Sequence, residues 1–579
     1  MFNEVLFEKG IKEDMGNLRK CINKEKLMFS LLLFITFGLQ IKYIFTELNI
    51  DTEYAIAMSW RMVKGDRMFQ EMLEPHQTSA FLLAFFIKLF TLVTGTTEGI
   101  VIFLNAVGVL IHLGVTLCIY KTFKGKMEPF FLKLVCLFFM LLHPKGYVLP
   151  EFSNMSLWFG TLLFLSLIKY YDRQEEKRWL LLASFFLCMQ IISYPSSIVV
   201  SLFVCGLLFL FSQQKLKDIV LFLSSCALQG SLYLFYFISR LGLIEFFDGI
   251  KAVFAGDRFH GTGSNIYGGI FNEGTLKAIG WIGINVFSSY LITRVYQSIR
   301  NKNRNDPDYN VVFGGFAIFT LGVFVSDICR AIFLSYYEYD GTWLNLYYII
   351  FILYFFKGSR YLNEFEKRVV FTAYGISAGV LSAVCLVTNL SLTFSAQYII
   401  IAVVMSFIPA MRWMKEKSIK QFWIYAMLFT SICMWTFKGF LDIREIGGLI
   451  KKGPAKGIVS EYMNAYKNNC NVEEWSMYVK ENDSVLIVGQ NSINALGYMI
   501  AEDSDIAIHS TMCGPTYNDA LLEYWEKYPE KYPDVIAVEC WYGNLKVEED
   551  SWIMQWILDE YKPSTYDDGY YYRFYRKEE

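Results

Sequence analysis

The chain has 579 residues, of which 54% are hydrophobic and 19% charged, and a net charge of −2. That balance lacks the basic surface of a nucleic-acid binder, so no nucleic acid is expected as a partner. It also excludes an ordinary soluble chain, in which about a quarter of the residues are charged. Here charges are sparse from 27 to 438 and dense from about 440 onward, the pattern of a membrane-embedded part followed by a soluble tail.

Residues 1–26 are charged (Lys9, Lys12, Arg19, Lys20, Lys24, Lys26), and no small-residue cleavage site follows the first apolar run. The expectation is a retained first helix behind a cytoplasmic segment, not a removed signal peptide. Fourteen apolar stretches of helical length lie between 27 and 438, the first at 27–47 and the last at 421–438. If all fourteen crossed, KTFKGK (121–126) and KYYDRQEEKR (169–178) would lie outside, against the positive-inside bias. The stretch 79–94 is short and carries Lys88. Placed in the outer interface instead of across the bilayer, it returns every basic connection to the inside. The expectation is therefore a polytopic α-helical membrane protein of about 13 TM helices spanning 27–438. Its N-terminus is inside and its larger outer loops are at 48–97 and 239–275. The setting expected is a bacterial plasma membrane. Nine of the twelve cysteines lie before residue 440, mostly inside apolar runs, where they act as small hydrophobes. Three remain in the tail without a CxxC, so neither a disulfide framework nor a zinc site is expected.

The loop 48–97 opens with Asp51 and Glu53 directly after the first span and goes on through Arg61, Lys64, Arg67, Glu71, Glu74 and His76. One reading is structural: Asp51 caps the helix that follows and Glu53 favours its dipole. The other is functional, since a fifty-residue loop between two spans usually binds or reacts. The order of features here is the pair Asp51 and Glu53, then Tyr54-Ala55, Gly65-Asp66, a turn with Pro75 and His76, a short apolar helix and a further span. Over about residues 27–125 this order resembles the GT-C superfamily of membrane glycosyltransferases. It is similar there to the protein O-mannosyltransferases and the aminoarabinose transferase of lipid A.

That resemblance implies a mechanism. The donor is a sugar on a polyprenyl phosphate, a membrane lipid that enters sideways, and the acceptor is extracytoplasmic. Asp51 is the base that takes the acceptor's proton, in one inverting displacement, with Glu53 assisting or binding a metal. A divalent cation (Mg or Mn) serves some members, with Asp51 and Glu53 as its implied ligands. Basic side chains or the metal hold the departing phosphate. The aminoarabinose transferases carry Glu-Lys-Pro near the end of this loop, where this chain has Glu74-Pro75-His76; His76 takes the lysine's place, or is plain surface. Lys145, Glu151 and Asn154 in HPKGYVLPEFSN face the cavity in the family, or form a solvated turn shaped by Pro144 and Pro150. In AGDRFHGTGSNIYGG, Arg258 and His260 sit among glycines that favour mobile backbone. Arg258 is the phosphate partner the resemblance offers. Asp327 and Arg330, three apart in one span, form a structural pair or present Arg330 to phosphate.

In the tail, SVLIVG (484–489) and DVIAVE (534–539) read as buried strands, with helical YNDALLEYWEKY between them and YYYRFYRK (570–577) as an edge strand. This gives a small extracytoplasmic α/β domain over 439–579. Rival functions are a transporter or lipid flippase and a non-catalytic envelope protein. A flippase calls for repeated halves with broken helices, and no internal repeat is present.

Overall fold

The computed structural model describes residues 25–46, 48–146, 148–256, 359–387, 400–416, 446–489, 495–509, 519–541, 544–564 and 571–577, with isolated turns in 291–299 and 428–440. The helices of the first part are α1 (Glu25–Thr46), α2 (Ile50–Lys64), α3 (Ala80–Thr94), α4 (Ile100–Phe123), α5 (Pro129–Leu141), α6 (Phe152–Asp172), α7 (Arg178–Ser193), α8 (Val200–Phe211), α9 (Lys215–Leu241), α10 (Leu243–Gly256), α11 (Glu364–Val387), α12 (Ile400–Met405) and α13 (Phe407–Glu416). By length and composition five helical segments among the described residues are able to cross a membrane: 25–46, 77–94, 100–123, 152–172 and 215–241. Their character is that of a helical membrane protein. The 24 residues of α4 rise about 36 Å, enough for a hydrocarbon core of about 30 Å.

The segment 79–94, expected to lie in the interface, is long enough to cross once the 3-10 turn Gln77–Ser79 is added. It packs along α2, a helix with a buried arginine whose far side meets the C-terminal region.

Polar side chains tie the bundle together where α5 runs out of helix. Trp158 Nε1 donates to His112 Nδ1 (2.9 Å), so the ring's proton is on Nε2, which donates to the Phe139 carbonyl (2.9 Å). Gln40 donates to the Met140 carbonyl (2.9 Å) and accepts from His143 Nε2 (3.2 Å). Carbonyls at the end of α5 thus find partners on α1 and α4, as buried backbone groups must. At Gly108 of α4 the connection to α6 comes so close that a Cβ would sit 1.8 Å from the Val148 carbonyl oxygen. Gly108→Ala must push that backbone away. A loss of about 1–3 kcal/mol is expected, read as a lowered unfolding temperature in detergent.

The C-terminal region begins with a two-stranded ribbon, β1 (Gly448–Leu449) and β2 (Val459–Ser460), and helix α14 (Tyr462–Tyr478). Then follow β3 (Ser484–Val488), the turn of helix α15 (Gly497–Ile500), β4 (Asp505–Ile506), α16 (Asp519–Lys527), β5 (Val535–Trp541), β6 (Asn544–Leu545), α17 (Trp552–Glu560), β7 (Tyr561–Pro563) and β8 (Tyr572–Lys577). The sheet order is β4-β3-β5-β8-β7, with β6 paired to β5. β3 is parallel to β4 and β5, and its five residues are all buried, which is why it reads as one unbroken apolar run. The strands near 484 and 535 and the helix between them lie where expected. The last strand does not. β8 is interior, antiparallel to both β5 and β7, and the edge on that side is β7. Three residues ending in Pro563 gave no strand signal of their own, while the buried Tyr572, Phe574 and Tyr575 of β8 mark a strand covered on both sides.

Candidate active site

Helix α2 starts three residues after α1 ends at Thr46. Its cap is Asn49, not Asp51. The Asn49 side chain accepts from the Asp51 and Thr52 amides (3.0 and 3.1 Å), and Thr52 Oγ1 accepts from the Asn49 amide (2.9 Å), a closed capping box. The structural reading of Asp51 as the cap is thereby corrected. Asp51 and Glu53 are both half-buried in the first turn. At about 100° per residue, two positions set them about 200° apart, on opposite sides of α2.

Asp51 shares its side with Tyr54 and Met58, three and seven positions on. Those two pack with Met68, Met72, Ala80, Phe237 and Phe246, the last two from α9 and α10. The outer surface of these helices is apolar: Leu232, Phe235, Leu243, Ile244 and Phe247 are exposed. Glu53 shares its side with Ala57 and Trp60, and Trp60 Nε1 donates to the Tyr498 carbonyl (3.0 Å) of the C-terminal region. Burial pushes the Glu53 carboxyl up to about 7, against the pull of Lys467, with Glu539 adding to the rise and the Ala495 amide opposing it.

At its other end α2 stops at Gly65, whose φ of 113° suits a residue without a side chain. Just before it lies Arg61, fully buried. Its Nε is 2.8 Å from Asp66, Nη1 is 3.5 Å from Glu74, and Nη2 donates to the Glu71 carbonyl (2.9 Å). Lys531 reaches Asp66 from the C-terminal region (2.7 Å), the Tyr524 hydroxyl donates to the Glu71 carbonyl (3.2 Å), and the Leu73 amide donates to the His509 carbonyl (2.9 Å). Burial works against the charge on Arg61, but Asp66, Tyr524 and Glu74 outweigh it and hold the guanidinium above its ordinary value. Burial, then the Arg61 charge, brings His509 down to about 4, so it is neutral at physiological pH. Lys64 donates to the Glu502 carbonyl, and the Glu502 carboxylate accepts from Thr96 and Thr97. The loop and the C-terminal region are thus joined along the length of α2.

The other expected site residues fall in two places. Glu74 is buried beside Arg61, ten residues or about 15 Å along α2 from Asp51, so the structure does not bring it to the acidic pair. His76 stacks face to face on Phe152 (centroids 4.0 Å, planes 3° apart) beside Tyr194, and so reaches the start of α6. There Glu151 caps α6 through the Ser153 and Asn154 amides (2.9 and 2.7 Å), and the Asn154 side chain donates to the Leu149 carbonyl (2.9 Å). The alternative of a solvated turn is corrected: Val148, Leu149, Glu151 and Asn154 are buried. The backbone of Lys145 lies in a 3-10 turn beside them. Arg258, His260, Asp327 and Arg330 lie outside the described residues.

Among the described residues no group of three or more His, Cys, Asp and Glu side chains is placed to hold a metal. Asp51 and Glu53, pointing to opposite sides, do not offer joint ligation. Sequence reasoning missed Lys467 and Glu539, which act on Glu53 of α2, and Lys531, which reaches Asp66 just beyond that helix. The one available signal was Lys467, Asn471 and Trp475 at four-residue spacing.

No protein-family model and no curated protein matches this sequence. Among solved structures the chain is similar to the oligosaccharyltransferase of Archaeoglobus fulgidus in complex with zinc and sulfate. The TM-score is 0.46 at 9% identity, covering 88% of this chain and 67% of that one. It is similar also to the archaeal oligosaccharyltransferase AglB of Archaeoglobus fulgidus in complex with an inhibitory peptide and a dolichol-phosphate, with a TM-score of 0.44 at 9% identity over 89% and 69% of the two chains. At that identity neither likeness assigns a reaction or a substrate to this chain.

Proposed function

We propose that this chain is a membrane glycosyltransferase of the GT-C kind, moving a sugar from a polyprenyl-phosphate donor to an extracytoplasmic acceptor. One observation carries the reading. Asp51 stands just beyond the end of an apolar span, its cap duty is held by Asn49, and its side of α2 is the one that faces the apolar helices α9 and α10. A carboxylate held there meets a lipid-borne donor at the membrane surface without leaving water altogether. Asp51 takes the proton of the acceptor hydroxyl as that oxygen attacks the anomeric carbon; the bond to the lipid phosphate breaks, and the phosphate leaves with its electron pair. His76, Lys145, Glu151 and Asn154 are substrate contacts in this reading, together with Arg258, His260 and Arg330. The purified protein, given radiolabelled polyprenyl-phosphate sugar and envelope acceptors, is expected to transfer label and release the lipid phosphate. Flux of lipid across proteoliposomes with no transfer to any acceptor would instead show a flippase and end this reading.

A further inference from the structure

A cavity of about 340 Å³ lies where the C-terminal region meets the turn between α3 and α4. Thr96, Thr97 and Glu98 of that turn form one wall, Lys452 and Gly453 between β1 and β2 form another, and Glu502, two residues past α15, closes it. The size is within the range of small-molecule sites, about 300–1,000 Å³. Backbone holds the walls together. The Gly99 amide donates to the Gly453 carbonyl (3.0 Å) and the Val101 amide to the Pro454 carbonyl (3.1 Å), which fastens the ribbon to the first turn of α4. That helix is long and apolar enough to cross a bilayer, and the cavity stands at its very start. Beside it the last turn of α3 exposes Leu92 and Val93. A charged cavity at the end of a span, next to exposed apolar side chains, sits at the level of lipid head groups.

The charges around it are of both signs. The Glu502 carboxylate accepts from the Thr96 and Thr97 hydroxyls (both 2.8 Å) and the Thr97 amide (2.5 Å), and none of the three bonds uses Oε2. Glu98 pairs with Lys456 (3.2 Å) and Lys452 with Glu473 (2.8 Å), and all four are exposed. Exposed pairs contribute little, so they give way to a better partner. Lys64 donates to the Glu502 carbonyl (3.0 Å). The carboxylates of Glu98, Glu473 and Glu502 thus balance the ammonium groups of Lys64, Lys452 and Lys456. A ligand of one sign meets like charge here as well as opposite charge, while a ligand carrying both finds a partner for each.

We propose that this cavity takes the head group of a membrane phospholipid bearing a primary amine: the phosphate meets Lys452, the ammonium lies between Glu98 and Oε2 of Glu502, and the acyl chains run along Leu92 and Val93. The chemistry recognised is that of phosphoethanolamine. A quaternary ammonium has no N–H to give the two carboxylates and loses the charge-assisted bonds. A lipid held at this seam fastens the C-terminal region to the bilayer, and the site does not depend on sugar transfer.

The full chain in detergent is titrated separately with phosphatidylethanolamine, phosphatidylcholine and phosphatidylglycerol of the same acyl chains. Retained lipid is read by native mass spectrometry and the unfolding temperature is followed in parallel. Phosphatidylethanolamine is expected to bind about tenfold or more tighter than either of the others, the worth of a hydrogen bond to a charged group, and to raise the unfolding temperature. Glu98→Gln and Glu502→Gln each bring it down towards phosphatidylcholine. Lys452→Met weakens both lipids alike, and Lys452→Arg restores them. Glu98 and Lys452 are exposed, so their variants keep the fold, and the lipid-free unfolding temperature verifies it. Equal binding of the three lipids, a preference for phosphatidylglycerol, or a preference over phosphatidylcholine that survives both Gln variants overturns the proposal. Stabilisation by soluble phosphoethanolamine equal to that by the lipid overturns the assignment to the membrane.

Discussion

Asp51→Asn is expected to lower sugar transfer by about 10²–10⁴-fold, the usual worth of a general base, while leaving the unfolding temperature in detergent unchanged. Asparagine keeps the size and polarity of the side chain but takes up no proton. The start of α2 survives because its first amides are bound by Asn49 and the box is closed by Thr52. The complementary change makes the two roles separable. Asn49→Ala removes the cap and costs about 1 kcal/mol, so stability falls at Asn49 and chemistry at Asp51. Transfer within a few-fold of wild type in a folded Asp51→Asn protein would remove the base from the mechanism, whatever else the loop does.

That separation was only partly legible in the sequence. The apolar runs, the gathering of charge after residue 440 and the strands near 484 and 535 were legible because their signals are local: unbroken hydrophobicity over a span, or over a strand buried on both faces. The cap was missed by two positions, since Asn49 and Asp51 are both good cap residues and only backbone geometry distinguishes them. The divergence of Asp51 and Glu53 was present in their spacing, yet a pair of acids invites a joint role. Glu151 offered no cap signal, because glutamate is not among the preferred cap residues. Beyond the four-residue spacing of Lys467, Asn471 and Trp475, the neighbours of Glu53 and Arg61 left no local trace. A lysine on a polar helix such as Lys467, or one in a turn such as Lys531, looks like solvated surface until the chain folds it against a carboxylate 72 or 465 residues away.

Arg61→Met is expected to cost about 3–5 kcal/mol, the loss typical when one partner of a buried ion pair is removed, and to loosen the C-terminal region from the loop. The reason lies in what the substitution strands. Arg61 is buried between Asp66 and Glu74 and also binds the Glu71 carbonyl. Without it, Asp66 still has Lys531, but Glu74 is left buried without its cation. The cost therefore includes that of a buried carboxylate deprived of its guanidinium, which makes a second, sharper expectation. Arg61→Met combined with Glu74→Gln recovers part of the loss, although it removes one more native charge, because a neutral Gln buried at that place costs less than a buried anion that has lost the Arg61 charge. Arg61→Lys keeps the charge but not the fork that serves three acceptors at once, and falls between wild type and Met. Hydrogen exchange across residues 60–74, 505–509 and 519–531 reads the docking directly, and these segments are expected to lose protection together. Unchanged exchange and an unchanged unfolding temperature in Arg61→Met would mean that the apolar contacts of α2 alone hold the two regions together, and the ion network would then carry no share of the docking that brings Lys467 and Glu539 to Glu53.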